Sequence, residues 1–156
     1  MAVGKQGRVE PYEAGLARGR PQSIKTPLSG RVVVVLDTRR DQRGLALIHP
    51  QTRCIRAADV HEIIVTDEQS RGPGDQVEHV AGVGFFAFDE SGVIMVGDEI
   101  RTDRTGLIGT VVGFDESHAP NHFNIVVQAA RSQTGRELGL RLGDRFAVVG
   151  REAWPS

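Results

Sequence analysis

Short apolar runs rich in valine and isoleucine recur from residue 28 onward, each closed by glycine, proline or a charged cluster, a pattern that points to strands rather than helices. The stretch RVVVVLD at 31–37 is continuous and β-branched, as expected of a strand covered on both faces. Residues 39–44 read as a polar turn, so LALIH at 45–49 is expected to return as a hairpin, ending at His49-Pro50-Gln51. Short strands follow around Arg53, Ile55 and 60–65, with room for one helical turn near Ala57–Asp59. Residues 67–76, with Ser70, Gly72, Pro73 and Gly74, read as an exposed loop at a seam between two halves. Beyond it, strands are expected over 77–88, 93–96, 99–102, 106–114, 123–128 and 145–149. Only Thr134, with Glu137 three residues on, carries a capping-box spacing, and Gly139 should keep that helix short. The 19 glycines among 156 residues, against a typical share of about 7%, imply frequent chain reversals. The fold predicted is mainly β: a small closed or partly open β-barrel with one or two short helices.

Length and charge set the organisation. A chain of 156 residues suits one core, and the expected division is a basic, flexible arm over 1–27, one barrel domain over 28–150 and a tail over 151–156. The arm carries Lys5, Arg8, Arg18, Arg20 and Lys25 against Glu10 and Glu13; it can lie in solvent or reach a neighbouring subunit, and a homo-oligomer is expected. No apolar run approaches a membrane span, and the start lacks the apolar core of a secretory signal. With Cys54 the only cysteine, these features lead to an expected cytoplasmic location without membrane partners. The 19 basic residues against 20 acidic ones remove the electrostatic case for nucleic-acid binding.

Two words repeat in the second half: Phe-Asp-Glu-Ser at 88–91 and 114–117, and Gly-Asp in VGDEI at 96–100 and LGDRF at 142–146. A glycine admitting a tight turn, followed by an aspartate that bonds nearby amides, is a device for entering a strand. The segment ELGLRLGDRFAVV at 137–149 resembles the GD box of cradle-loop β-barrels, the group that includes double-psi barrels and archaeal riboflavin-kinase-like barrels, with a weaker second copy at 96–100. The resemblance covers about a dozen residues. It implies a fold and carries over no activity.

The reactive side chains concentrate between VVGF and NIVVQ, where Asp115, Glu116, Ser117, His118, Asn121, His122 and Asn124 fall within ten residues. A turn needs glycine, proline, asparagine or aspartate for its backbone; two histidines exceed that need. Three readings follow. In the first, His118 or His122 is a general acid or base oriented by Asp115 or Glu116, while Asn121 and Asn124 bind a substrate carbonyl or carboxylate. In the second, His118 and His122 hold a divalent metal, although no third ligand stands at a recognised spacing. In the third, the segment is a structural hairpin bonding its own backbone.

Phe114 and Phe123, with Phe85, Phe86 and Phe88, either wall an apolar pocket or fill a barrel, and Arg101 and Arg104 either clamp an anion or form surface ion pairs. His49, Cys54 and His61 form a weaker metal-ligand set, and His79 stands alone. No dinucleotide-binding glycine motif and no nucleophile elbow is present. The expectation is a lyase- or isomerase-type enzyme doing non-redox proton-transfer chemistry on a small polar or carbonyl-bearing molecule, without a cofactor unless a divalent metal is bound. A non-catalytic ligand-binding or assembly module is the alternative.

Overall fold

A computed structural model describes residues 23–150. The valine-rich run becomes the longest strand, β1 (Leu28–Arg40), followed by β2 (Leu45–Ala46), β3 (Thr52–Ile55), β4 (Val60–Thr66), β5 (Gln76–Val77) and β6 (Val80–Phe88). The second half supplies β7 (Gly92–Met95), β8 (Glu99–Thr102), β9 (Gly106–Asp115), β10 (Asn124–Gln128), α1 (Gly135–Leu138) and β11 (Arg145–Val149). Seven strands close a barrel in the order β1-β11-β8-β9-β10-β4-β6. Every described pairing in it is antiparallel except β4 with β10. The fold is therefore mainly β, with a closed seven-stranded barrel and one short helix. Thr134 caps that helix through a capping box, and Gly139 ends it in the left-handed conformation. Among the described residues, no helix is long and apolar enough to cross a membrane.

Two apolar cores explain the burial. Inside the barrel pack Phe86, Phe88, Phe114, Phe123, Phe146 and the inward residues of each strand, so the phenylalanines other than Phe85 serve as filling. Outside it, Leu45, Leu47 and Val77 from the β2/β5 ribbon cover Ile64, Val112 and Val126. β10 lies between the two cores, which is why Ile125, Val126 and Val127 are all fully buried. This second layer corrects the expected hairpin: Leu45–Ala46 pairs with β5, because Leu45 and Leu47 find their apolar partners there rather than beside β1.

Other expectations change for local reasons. β1 runs on through Arg40 and is not covered on both faces; Val34 is 40% exposed, since register shifts at 32–34 and 35–38 turn the strand's outer side to solvent. The single strand expected over 77–88 is broken at 78–79, where the Glu68 carboxylate accepts both backbone amides at 2.7 and 2.6 Å. The 67–76 loop joins β4 to β6, neighbours in the barrel, by way of β5. The segment at 57–59 is a turn and not a helix.

That turn is one of four copies of a strand-entry device, of which only the two in the second half were expected. At Gly97-Asp98 the glycine (φ 97°) donates its amide to Val111, Val111 donates to the Asp98 carbonyl, and the Asp98 carboxylate caps the Met95 amide at 2.8 Å. The same set occurs at Gly143-Asp144 with Val32 and Arg141, and at Gly74-Asp75 with Leu47 and Gly72. A fourth copy carries alanine: Ala58 (φ 74°) donates to Phe88, Phe88 donates to the Asp59 carbonyl, and Asp59 caps the Arg56 amide. Each copy leads into a strand within two residues.

Of the arm, residues 23–27 are described, and Lys25 forms a salt bridge of 2.8 Å with the fully buried Asp98. This end of the arm is thus strapped to its own barrel. The rest of the arm and the tail over 151–156 lie outside the described residues.

Candidate functional site

The histidine-bearing hairpin is positioned by Asp115. Its buried carboxylate accepts the Ser117 amide and the Asn124 side-chain amide, each at 3.0 Å, the Ser117 hydroxyl and the Ala46 amide at 3.3 Å. Aspartate suits this place because a carboxylate is acceptor-only and the surrounding groups are donors. Asp115 and its partner Asn124 therefore hold the two ends of the loop together. Glu116 turns the other way, into an ion pair with Arg53. The Ala119–Pro120 peptide is cis.

The two imidazoles stack with centroids 5.1 Å apart and an interplanar angle of 9°. Their partners differ from those expected. Nδ1 of His122 meets the Asn121 side-chain oxygen at 2.7 Å, and its Nε2 faces Glu62 Oε1 at 3.5 Å. The Asn121 oxygen can only accept, so Nδ1 carries the proton and Nε2 of the neutral ring presents a lone pair to Glu62. Nε2 of His118 lies 3.2 Å from an Arg43 nitrogen. Arginine only donates, so His118 accepts there and its neutral form carries the proton on Nδ1.

Glu62 reaches this place by strand alternation. Along β4 the side chains of Ile63 and Val65 enter the barrel, whereas Glu62 and Ile64 face outward. Leu36, Ile64 and Phe85 form the apolar wall of an open cavity of about 290 Å³, and Glu62, His118 and Arg43 stand at its polar side. Phe85 also packs edge-on against His122, with ring centroids 5.0 Å apart. The site thus lies on the outside of the barrel, where the second layer ends.

Burial raises Glu62 above the ordinary carboxylate range; the nearby His118 and Arg43 oppose this, and Asp115 adds to it. Burial also lowers His122, opposed by the Asn124 side chain. The two shifts bring an acid and a base closer together in proton affinity, which lowers the cost of moving a proton between them. Nε2 of His122 is buried and has no hydrogen-bond partner within bonding geometry, so its lone pair is unspent.

A larger open cavity of about 940 Å³ lies across the same hairpin, lined in part by Arg53, Cys54, Arg56 and His61. Two histidines line it: His122, whose Nε2 is turned toward Glu62, and His61, which is spent, since His61 Nδ1 accepts the Phe123 amide at 3.2 Å, Nε2 faces Asp59 at 3.4 Å, and the ring stacks on Phe123 at 3.7 Å. Arg53 is held by Glu116 and by the Phe123 ring. Glu62, His118 and Arg43 favour the smaller cavity over the larger one, with His122 reaching toward Glu62 from between the two.

Among the residues expected at a site, the structure brings together His118, His122 and Asn121. Asp115 and Asn124 anchor the loop, Phe114 lies in the barrel core, and Phe123 packs against His61. Arg101 pairs with Glu99 and Arg104 with Asp144, at the start of β9, a strand whose other end carries the loop about 30 Å along the chain path. Glu62 and Arg43 were missed. The visible signal for Glu62 was a carboxylate inside VHEIIVT, out of phase with the inward residues; Arg43 had none, since a turn arginine is ordinarily solvated. Among the described residues, no three His, Cys, Asp or Glu side chains are grouped so as to hold a metal ion, and this includes the His118/His122 pair and the His49, Cys54, His61 set.

A family model described as "Family of unknown function (DUF6917)" matches residues 22–149. The chain belongs to this family. The matched span takes in the whole described barrel and both sides of the cavity. No curated protein and no solved structure matches the chain.

Proposed function

We propose that the chain is a non-redox acid–base catalyst acting on a small polar or carbonyl-bearing molecule, by isomerisation, cyclisation, elimination or hydration. The observation that carries this reading is the Glu62 carboxyl, which lines the smaller cavity with His118 and Arg43, facing at 3.5 Å the unspent Nε2 of His122, a residue that lines the larger cavity across the hairpin. In such a reaction one substrate proton is taken up and another delivered. Glu62, raised by burial, and His122, lowered by it, supply an acid and a base for the two transfers, and the Arg43 guanidinium with the His118 Nδ1–H supplies charge and a donor for an oxygen that becomes negative. The apolar wall of Leu36, Ile64 and Phe85 lowers the local dielectric and strengthens these interactions. Kinship with cradle-loop barrels is part of the same proposal, supported by the repeated Gly-Asp turns leading into strands.

The test is deuterium wash-in. Small oxo-acids, hydroxy-acids and enol-forming ketones are incubated with the protein in D2O, and loss of carbon-bound proton signals is followed by NMR. Exchange by the parent that falls at least a hundredfold in both Glu62→Gln and His122→Gln, with the fold intact, supports the proposal. Equal exchange in parent and variants, together with a Glu62 carboxyl titrating in the ordinary range by carbon NMR, would end it.

A further inference from the structure

The charged groups around the cavity are more numerous than proton transfer needs. Arg39, Arg40 and Arg43 all line it, against one carboxylate, Glu62. Arg39 is committed elsewhere, to Glu137 and the Ser132 carbonyl. Arg43 contacts only the neutral Ser117 hydroxyl and His118, and Arg40 forms no ion pair among the described residues. Two cations free of ion pairs among the described residues thus stand at one cavity with a single carboxylate, Glu62, to offset them.

Backbone geometry fixes where they stand. Arg40 is the last residue of β1 and pairs with Val80 of β6, and the Arg43 amide bonds the Glu78 carbonyl just beyond. Both arginines are therefore carried by ordered backbone along the same rim. A second open cavity of about 340 Å³ adjoins the first and shares Arg39, Arg40 and Val80 with it; Asp41, Asp67 and His79 line its remaining sides. Asp41 lies 3.7 Å from His79 and is largely solvent-exposed. Asp41 and Asp67 thus line the adjoining cavity, and the cavity lined by Phe85 has Glu62 as its one carboxylate against the three arginines.

We infer that this rim is an oxyanion subsite: the molecule processed at Glu62 and His122 carries a carboxylate or phosphate group, held between Arg40 and Arg43. The inference rests on the acid–base reading for its second half and on the arginine geometry alone for its first. Guanidinium groups match the paired oxygens of either anion, and an apolar wall beside them limits the water that would otherwise compete. A ligand anchored at this rim directs its remaining atoms along the Phe85 wall toward Glu62, so the subsite sets orientation as well as affinity.

The experiment is a thermal-shift titration at constant ionic strength, with chloride replaced stepwise by inorganic phosphate in one arm and by acetate in the other. The expected result is a saturable rise in melting temperature in at least one arm. The arm that responds identifies the anion. Arg40→Ala should weaken that binding about tenfold, as the loss of one charge-assisted contact predicts. Its melting temperature without anion should change little, because the side chain is exposed and unpaired. Glu62→Gln keeps both arginines and should bind the anion as well as the parent or better. Shifts no larger than those in chloride, or an Arg40→Ala response equal to the parent's, overturn the subsite. Anion binding that survives in Glu62→Gln, with no wash-in activity in any protein, leaves the subsite standing while the acid–base reading fails.

Discussion

Replacing Asp115 tests whether the site is built by one buried carboxylate. In Asp115→Ala four hydrogen bonds are lost, and the donors differ in what they can recover. Ser117 is exposed, so water replaces much of its two bonds, and the 3.3 Å bond to Ala46 is weak. The Asn124 side-chain amide is fully buried and is left unsatisfied, which costs about 1–3 kcal/mol. Adding about 1 kcal/mol for the Ser117 pair and about 1 for Ala46 and the loss of loop packing gives about 3–5 kcal/mol in all. For roughly 130 ordered residues at an unfolding entropy of about 2.1 cal/mol/K each, the melting temperature should fall by about 10–20 °C. Asp115→Asn keeps an oxygen for Ser117 and Asn124 and loses mainly the weak bond, so it should cost only about 1–2 kcal/mol. Calorimetry with urea unfolding followed by circular dichroism measures both. An alanine variant within 3 °C of the parent, or an asparagine variant as unstable as the alanine one, refutes the assignment of Asp115 as the anchor.

Three further outcomes follow from the geometry. Burial lowers His61 and His122 below their ordinary 6.5, so below that pH the unfolded chain takes up protons that the folded chain refuses; stability present above pH 6.5 is lost as pH falls toward the depressed folded values. His122→Gln should therefore flatten the melting-temperature profile between pH 7.5 and 5, and an unchanged slope would contradict this. Gly135→Ala should destabilise by about 3 kcal/mol or more, although helix propensity alone predicts a gain of about 1, since an added Cβ would lie 1.9 Å from the Val83 carbonyl oxygen. A gain in urea midpoint would refute it. Ala58→Gly should do the reverse: releasing a left-handed alanine recovers about 1–2 kcal/mol, the extra freedom of the unfolded glycine costs about 0.4–1, and a net rise of about 0.5–1 should appear in the same assay.

The sequence by itself determined the strand-built class, because β-branched runs and their breaks are local properties: β8 and β11 fall on the expected residues, and the Thr134 capping box forms as its spacing predicts. It also marked the hairpin over 115–124 as the place where imidazoles gather, since composition alone shows that. The partners of those imidazoles were decided only by the closed barrel. Glu62 lies 60 residues from His122 in the chain, and the parallel β4–β10 pairing places it opposite Asn124. The same closure set Asp115 to bonding Asn124 and Glu116 to pairing with Arg53, whereas adjacency in sequence had suggested both as orienting acids. Of the four strand-entry turns, Gly74-Asp75 was legible as a third Gly-Asp pair, whereas the one at position 58 was hidden for a related reason: a left-handed residue is recognised by its backbone bonds, and an alanine adopts them there because Phe88 on β6 supplies both partners.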